Sequence, residues 1–318
     1  MTQKKQTAGF RKDARLLFTG FSMGIADLVP GVSGGTIAFL YGIYDELLFS
    51  IKQATGVFLS LLFKGKMREA FQALPLRFLG LLFAGIATAA FGFAGLVTHM
   101  LGNYPTLIWS LFFGFVLGSA AIIKKRVMRW DWTRIMLLLA GALITYAVIG
   151  ISQLNFAPTP LAIFLTGAVA FCAMILPGIS GSLIMVILGQ YQHVIEAISE
   201  RNFALLIYLA AGGAMGLALF ARLLSWLLRH YHGNVMAFLI GMLLGSLRKV
   251  WPWQAAHADL ATMVNILPEP NMQLLASIIL GIMGFLLVWH LEKLDIASEH
   301  DDISTKKFKE EIAHQENL

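Results

Sequence analysis

Two short polar segments interrupt the apolar sequence and carry residue types that bind anions. PGVSGGT occupies residues 30–36, here called the first tip, and PGISGSL occupies residues 177–183, the second tip. Proline disfavours helix at the residue before it, and serine is a preferred helix N-cap. Each tip therefore predicts one helix that ends before the proline, near Leu28 or Ile175, and another that begins after Ser33 or Ser180.

The start of a helix suits a phosphate group. Its first amides have no intrahelical acceptor, and the helix dipole places about half a positive charge there. Glycines let a ligand approach this backbone closely. For a single tip, it stays open that the glycines only permit tight packing and the serines only cap helices. Two matched tips favour a phosphate site, whose candidate residues are Pro30, Gly31, Ser33, Gly34, Gly35, Thr36, Pro177, Gly178, Ser180, Gly181 and Ser182.

Two ionisable residues in the apolar segments are further candidates, because charge within a membrane usually marks function. Arg222 joins the candidate phosphate-binding set, with snorkelling to the interface as the alternative. Asp27 lies at the end of a predicted helix, where the dipole disfavours a carboxylate unless a proton or cation joins it. We therefore predict that Asp27 binds a coupling ion, H⁺ or Na⁺.

No metal or redox chemistry is indicated beside these residues. The single cysteine, Cys172, lies in an apolar run, which leaves no disulfide framework and no cysteine-based metal site. The histidines near the ends of the apolar segments lack ligand spacing. We expect no metal and no cofactor apart from a coupling ion.

The composition of the chain requires a membrane. Of its 318 residues, 58% are hydrophobic and only 13% are charged, and the mean hydropathy is +0.73. A globular domain carries about 25% charged residues, so this chain could not solvate its own surface. The composition excludes a soluble, disordered or disulfide-rich protein, and also a nucleic-acid binder despite a pI near 9.4.

The apolar segments predict an all-α polytopic membrane protein. Six segments reach the ~20 residues that cross the bilayer, at 76–101, 105–123, 134–152, 203–228, 234–250 and 272–291. In 15–50 and 161–198 the tips divide the apolar sequence into pieces of about 15 residues, too short to cross. These two regions predict re-entrant helical hairpins whose tips lie inside the membrane, shielded by protein or facing a water-filled cavity.

The chain contains an internal repeat. Residues 30–44 and 177–191 are identical at seven of fifteen positions, and GFVLGS at 114–119 matches GMLLGS at 241–246. The sequence therefore divides into a basic N-terminus (1–14), repeat 1 (15–152), repeat 2 (153–291) and a polar tail (292–318). Each repeat is predicted to be a re-entrant hairpin followed by three spans.

An odd number of crossings per repeat predicts that the second copy is inverted in the membrane. If both termini are cytoplasmic, 21 of the 24 Lys and Arg residues fall on the cytoplasmic side, as the positive-inside rule requires. Inverted repeats with broken helices that meet at the midplane are typical of secondary transporters, whose substrate site lies at the repeat interface.

The segments GIADLVPGVSGGT at 24–36 and ILPGISG at 175–181 resemble the bacterial polyprenyl-phosphate transporter family, and the likeness extends over about residues 12–292. The resemblance implies a protein of the bacterial cytoplasmic (inner) membrane that binds a polyprenyl-phosphate lipid. It implies that undecaprenyl phosphate is returned from the outer to the inner leaflet, for carrier-lipid recycling in envelope glycan synthesis. Nucleic acid is not an expected partner, and the sequence leaves open whether the protein is a homo-oligomer.

Two alternative functions, a lipid phosphatase and a small-anion exporter, differ from lipid transport in the chemistry that they require. Membrane-embedded undecaprenyl-pyrophosphate phosphatases have similar tips that continue Arg-Ser-Gly and pair with a glutamate-rich motif. Here Gly34 and Gly181 occupy the arginine position, so the main electrostatic stabilisation of phosphoryl transfer is missing and no enzyme is expected. The sequence does not exclude an ion-coupled exporter of a small anion.

Overall fold

The computed structural model describes residues 2–28, 33–127, 129–154, 156–255 and 264–290, with side chains at all of these except 2–11, 59, 63 and 126. The described chain is mostly helical, and the predicted all-α polytopic architecture is confirmed. Pro30 and Gly31 of the predicted phosphate site lie outside the described residues, as does the tail at 292–318. The division into four segments stays a prediction.

The first part of the chain begins with α1, which is described over Thr2–Leu28. Its predicted end before Pro30 falls at the edge of the described residues. The helix continues N-terminally beyond residue 15, where the hairpin was predicted to begin. The elements that follow are α2 (Gly34–Leu40), α3 (Tyr44–Lys52), a π-helix (Gln53–Phe58), α4 (Leu59–Phe63), α5 (Met67–Ala73), α6 (Leu76–Asn103), α7 (Pro105–Ile123) and a 3-10 turn (Lys124–Arg126).

The second part repeats this order from residue 160 onward. After α8 (Trp132–Ile149), α9 spans Pro160–Ile175 and ends where the second tip predicts. The elements that follow are α10 (Gly181–Ile187), α11 (Tyr191–Ser199), α12 (Phe203–Ser246), an antiparallel strand pair β1 (Gln254–Ala255) and β2 (Val264–Asn265), and α13 (Met272–His290).

Five described helices are long and apolar enough to cross a membrane, namely α6, α7, α8, α12 and α13. The sequence predicts six, because it treats 203–228 and 234–250 as separate spans. The structure joins them in α12, about 66 Å of helix with a kink at Tyr231 (φ −133°, ψ 39°). Tyr104 is the equivalent residue of the first repeat and separates α6 from α7 with nearly the same backbone angles (φ −134°, ψ 50°).

The segment after each tip differs from the single piece of about 15 residues that was predicted. It consists of two short helices, α2 and α3 in the first repeat and α10 and α11 in the second. Gly42 and Gly189 separate them, and both have φ of +73°, a left-handed conformation that ends a helix. The break recurs at equivalent positions of both repeats, so it belongs to the repeated unit.

Equivalent glycines bring equivalent helices together. A β-carbon at Gly85 of α6 would overlap the carbonyl oxygen of Leu17 in α1, and one at Gly212 of α12 would overlap that of Phe164 in α9. These four residues form two matched pairs of the sequence repeat. Each hairpin is therefore fixed against the span that follows it by the same backbone contact.

The hydrophobic core surrounds the two tips. All residues of α2 are buried, and Phe39 and Tyr44 lie in one cluster with Ile175 and Ile179 of the second repeat. Residues of α7 and α12 complete this cluster. The packing therefore holds the two tips against each other.

Candidate functional site

Residues of the first tip and of α3 contact the end of α9 through two side-chain hydrogen bonds. Ser33 Oγ donates to the carbonyl oxygen of Met174 at 3.2 Å, and Tyr44 OH donates to that of Ile175 at 3.0 Å. These carbonyls belong to the last turn of α9, where helices leave acceptors without intrahelical donors. Residues of repeat 1 thus cap a helix of repeat 2.

The tips also contact each other directly. The amide of Gly178, a residue with φ of +88°, donates to Thr36 Oγ1 at 3.2 Å. A β-carbon at Gly35 would lie 2.8 Å from the carbonyl oxygens of both Met174 and Ile175, so this close approach requires glycine. The structure therefore brings the described parts of both predicted tips into one polar site.

Every first-turn amide of the first tip has an acceptor in this structure. Gly34 N donates to Asp27 Oδ1 at 2.6 Å, Gly35 N to Ser33 Oγ at 3.1 Å, and Thr36 N to the Ser33 carbonyl at 2.9 Å. Ser33 is the N-cap of α2, as predicted. The anion-binding groups of the first tip are thus occupied by the protein itself.

The second tip lacks such acceptors. Ser180 occupies the predicted N-cap position of α10 but makes no capping bond, and its Oγ lies 2.7 Å from Ser182 Oγ. Within the described chain, the amides of Gly181, Ser182 and Leu183 have no hydrogen-bond acceptor. Two hydroxyls and three amides therefore lie close together with hydrogen-bonding capacity to spare.

Asp27 has a different environment from the one that the sequence suggests. Its position near the end of α1 predicted an unfavourable dipole for a carboxylate. In the structure, the carboxylate turns to the start of α2 and accepts the Gly34 amide, where the helix dipole favours negative charge. The helix end alone therefore does not require a proton or cation at Asp27.

Arg222 does not lie with the tips. Its guanidinium group lies over the π-helix, where a β-carbon at Gly56 would be 3.1 Å from Nη2. It lines a cavity of about 490 Å³ that also includes Lys52 and Gln53 and contains no tip residue. No ion pair joins Arg222 to Asp27.

Sequence reasoning missed two residues of these sites. The first is Tyr44, whose hydroxyl donates to the Ile175 carbonyl oxygen. The sequence signal for it is that a tyrosine recurs at the equivalent position of the second repeat, Tyr191. Lys52 was interpreted only as a topological charge, because sequence does not show that it shares a cavity with Arg222.

The fold and site define a class: a polytopic α-helical membrane protein in which two interrupted helices meet at one polar site. The chain belongs to the family of undecaprenyl phosphate translocase-like proteins, whose profile matches residues 23–266.

Two relatives carry names that agree with this family. A polyprenyl-phosphate transporter of Vibrio cholerae is 40% identical over 235 residues, which cover 74% of this chain and 76% of the relative. A polyprenyl-phosphate transporter of Staphylococcus aureus is 29% identical over 304 residues, or 89% of this chain and 97% of the relative. No solved structure shows a significant match to the chain.

Proposed function

We propose that the protein transports polyprenyl phosphate across the bacterial cytoplasmic membrane and moves its headgroup from the outer to the inner leaflet. The observation that carries the proposal is the direct contact between the two tips, with donors of the second tip left without described acceptors. The names of the two relatives support the lipid class, and the family supports an undecaprenyl chain. Recycling of this carrier for envelope glycan synthesis is the corresponding role.

The headgroup phosphate binds between the tips, and the prenyl chain leaves sideways into the lipid. The second tip offers the amides of Gly181 and Ser182 and the hydroxyls of Ser180 and Ser182, which suit phosphate oxygens. At the first tip, phosphate replaces the Asp27 carboxylate as the acceptor of the Gly34 amide. Asp27 thus acts as an internal anion that occupies part of the site until the substrate arrives.

The two repeats have opposite orientations in the membrane, with both termini cytoplasmic, and the hairpins are re-entrant. The matched helix crossings and the matched breaks at Gly42 and Gly189 support a common unit. The distribution of Lys and Arg supports the inversion and the orientation. An inverted pair gives each leaflet an equivalent route to the tips.

Inward transport needs a source of energy or a compensating charge. A phosphomonoester carries one to two negative charges, and each costs ~2.3 kcal/mol per 100 mV when it moves toward the negative interior. When phosphate displaces Asp27 from the Gly34 amide, the carboxylate loses its donor close to another anion. A proton or sodium ion then binds to Asp27 and crosses with the lipid.

Hydrolysis does not fit the same groups. No arginine occupies the described parts of the tips, where the arginine position holds Gly34 and Gly181. A leaving phosphate would therefore lack its strongest electrostatic partner. The protein is a transporter and has no catalytic residues in this proposal.

The deciding experiment uses purified protein in liposomes that contain polyprenyl phosphate. A membrane-impermeant phosphatase added outside removes only the outward-facing headgroups. With active protein it should consume the inner pool as well, whereas protein-free liposomes should retain that pool. Release of phosphate from polyprenyl pyrophosphate by the protein alone would indicate the phosphatase. Equal competition by free phosphate would indicate a small-anion exporter.

A further inference from the structure

A cavity with a mostly apolar wall lies apart from the tips, between residues 49–61 and α12. It has a volume of about 490 Å³, and its two charged residues, Lys52 and Arg222, come from opposite repeats. Phe49, Val57 and Leu61 line the apolar part of its wall. We refer to it as the Lys52–Arg222 cavity. Its combination of two cations and an apolar wall is the chemistry that an anionic amphiphile requires.

The described residues do not neutralise the two cations of this cavity. Neither Lys52 nor Arg222 forms a salt bridge with a described carboxylate, and the lining contains no Asp or Glu. Two positive charges that share a cavity repel each other, and a bound anion offsets this repulsion by attracting both. The arrangement therefore favours an anionic ligand.

Snorkelling to the membrane surface accounts for the position of Arg229 better than for that of Arg222, although both lie on α12. Arg229 lies seven residues later, about 10 Å further along α12, and its Nε donates to the Ser225 carbonyl. The Arg222 guanidinium group instead lies over Gly56 of the π-helix, so it faces a segment of the other repeat. Because π-turns in a helix often occur at functional sites, this placement fits a binding role.

An unpaired polar atom beside this cavity gives a second indication of a ligand. The side-chain oxygen of Gln53, a lining residue, is buried and has no described hydrogen-bond donor. Such an atom normally has a partner, since leaving it unpaired costs free energy.

We propose that the Lys52–Arg222 cavity is a second headgroup site, which holds the phosphomonoester of the lipid after it leaves the tips. The inference rests on the proposed function for the identity of the lipid. Arg222 lies 19 residues after the start of α12, about 28 Å along it, so the cavity is near the opposite membrane face from Phe203. In the proposed orientation this is the cytoplasmic face, where the inner-leaflet headgroup belongs.

The test uses the full-length protein in nanodiscs of phosphatidylcholine, which carry no net charge. Farnesyl phosphate, farnesol and inorganic phosphate are titrated against the parent and Lys52→Gln/Arg222→Gln. The parent should show two classes of binding site for farnesyl phosphate, one at the tips and one in the Lys52–Arg222 cavity. The double variant should lose the class that belongs to the cavity. Removing each charged hydrogen bond should weaken that class by about tenfold or more. The control, Lys64→Gln/Arg229→Gln, removes one lysine and one arginine that do not line the cavity and should bind like the parent.

A charge-conserving variant keeps the test valid if the double glutamine variant does not fold. Lys52→Arg/Arg222→Lys should retain both classes, and size-exclusion chromatography verifies that each variant is monodisperse. Equal binding by the parent and a folded glutamine variant would overturn the inference. Equally tight binding of farnesol would show that the charges are not used, and equally tight inorganic phosphate would assign the cavity to a free anion instead of a lipid.

The transport assay separates this inference from the proposed function. If the parent translocates lipid and the glutamine variant binds farnesyl phosphate as the parent does, the cavity assignment fails and the proposed transport function stands. If the glutamine variant lacks a class of binding site that the parent has, but the parent translocates no lipid, the cavity assignment stands and the proposed transport function fails.

Discussion

Asp27 Oδ1 accepts a hydrogen bond from the Gly34 amide at 2.6 Å, at the start of α2. The equivalent residue of the second repeat is Met174, and a β-carbon at Gly181 would lie 2.6 Å from its Cγ. Both side chains thus lie over the first glycine of the helix that follows the tip. Only the Asp27 carboxylate is a strong acceptor, since the thioether of Met174 accepts hydrogen bonds weakly. The two tips therefore differ in charge although their backbones correspond.

This difference predicts the effect of Asp27→Asn. The amide oxygen of asparagine can still accept from Gly34 N, so the tip should fold as before, but no carboxylate remains to bind a proton or sodium ion. The variant should bind farnesyl phosphate, and its transport should lose any dependence on pH or sodium. Transport is measured in liposomes at several pH values, with and without sodium.

The matched control for this variant is Asp45→Asn, which removes an equivalent charge from the start of α3. It should keep the ion dependence of the parent. If Asp27→Asn transports as well as the parent against an opposing potential, with unchanged ion dependence, then Asp27 is structural and the coupling hypothesis is wrong.

The tip glycines predict a second outcome. A valine at Gly34 or Gly181 would place methyl groups over the first amides of α2 or α10 and push aside Asp27 or Met174. At Gly181 the added β-carbon would also lie 2.8 Å from the Ala170 carbonyl oxygen, so the backbone of this hairpin must shift slightly. Phosphate could then not reach this backbone, and transport should fall to the level of protein-free liposomes. Gly92→Val is the control, because no heavy atom lies within 4 Å of its added β-carbon.

Size-exclusion chromatography of the purified variants distinguishes blocked binding from failed folding. Both tip variants should elute as the parent does in size-exclusion chromatography. A correctly folded Gly181→Val protein with parental transport would show that the headgroup does not approach the second tip.

The sequence predicted the interruptions of the helices well, because proline and N-cap serine act locally. α9 ends at Ile175, as Pro177 requires, and Ser33 and Ser180 occupy the N-cap positions of α2 and α10. The sequence missed the breaks at Gly42 and Gly189, since a glycine within an apolar run is equally compatible with a continuous helix. Backbone conformation at these glycines depends on packing that a local pattern does not contain.

The composition of the site was predictable only in part. The repeat indicated that the two tips correspond, and their direct contact through Gly178 and Thr36 agrees with a shared site. Arg222 was grouped with the tips only because it is ionisable within an apolar segment. Its true neighbours, Lys52 and Gln53, lie about 170 residues away in the sequence, and such a pairing follows from tertiary packing alone.

The helix crossings predict a third outcome, on stability. Ala at Gly212 would overlap the carbonyl oxygen of Phe164, and α9 and α12 would have to separate. Overpacking of this kind costs ~1–3 kcal/mol. Gly80→Ala is the control, because its β-carbon meets no heavy atom within 4 Å and alanine favours helix. Thermal unfolding in detergent should show a lower midpoint for the first variant and an equal or higher one for the second.

The two repeat tyrosines, Tyr44 and Tyr191, allow the contact between α3 and the end of α9 to be tested with a single atom. Tyr44 is 3% exposed and its hydroxyl caps the buried carbonyl of Ile175, whereas Tyr191 is 36% exposed and has no described hydrogen-bond partner. Tyr44→Phe leaves that carbonyl without its donor, which should lower the free energy of unfolding by ~1–3 kcal/mol. Tyr191→Phe removes the same atom from the equivalent position and should change it by less than about 0.5 kcal/mol. Unfolding of both variants in the same detergent measures the difference, and equal midpoints would mean that the hydrogen bond from Tyr44 to Ile175 does not stabilise the fold.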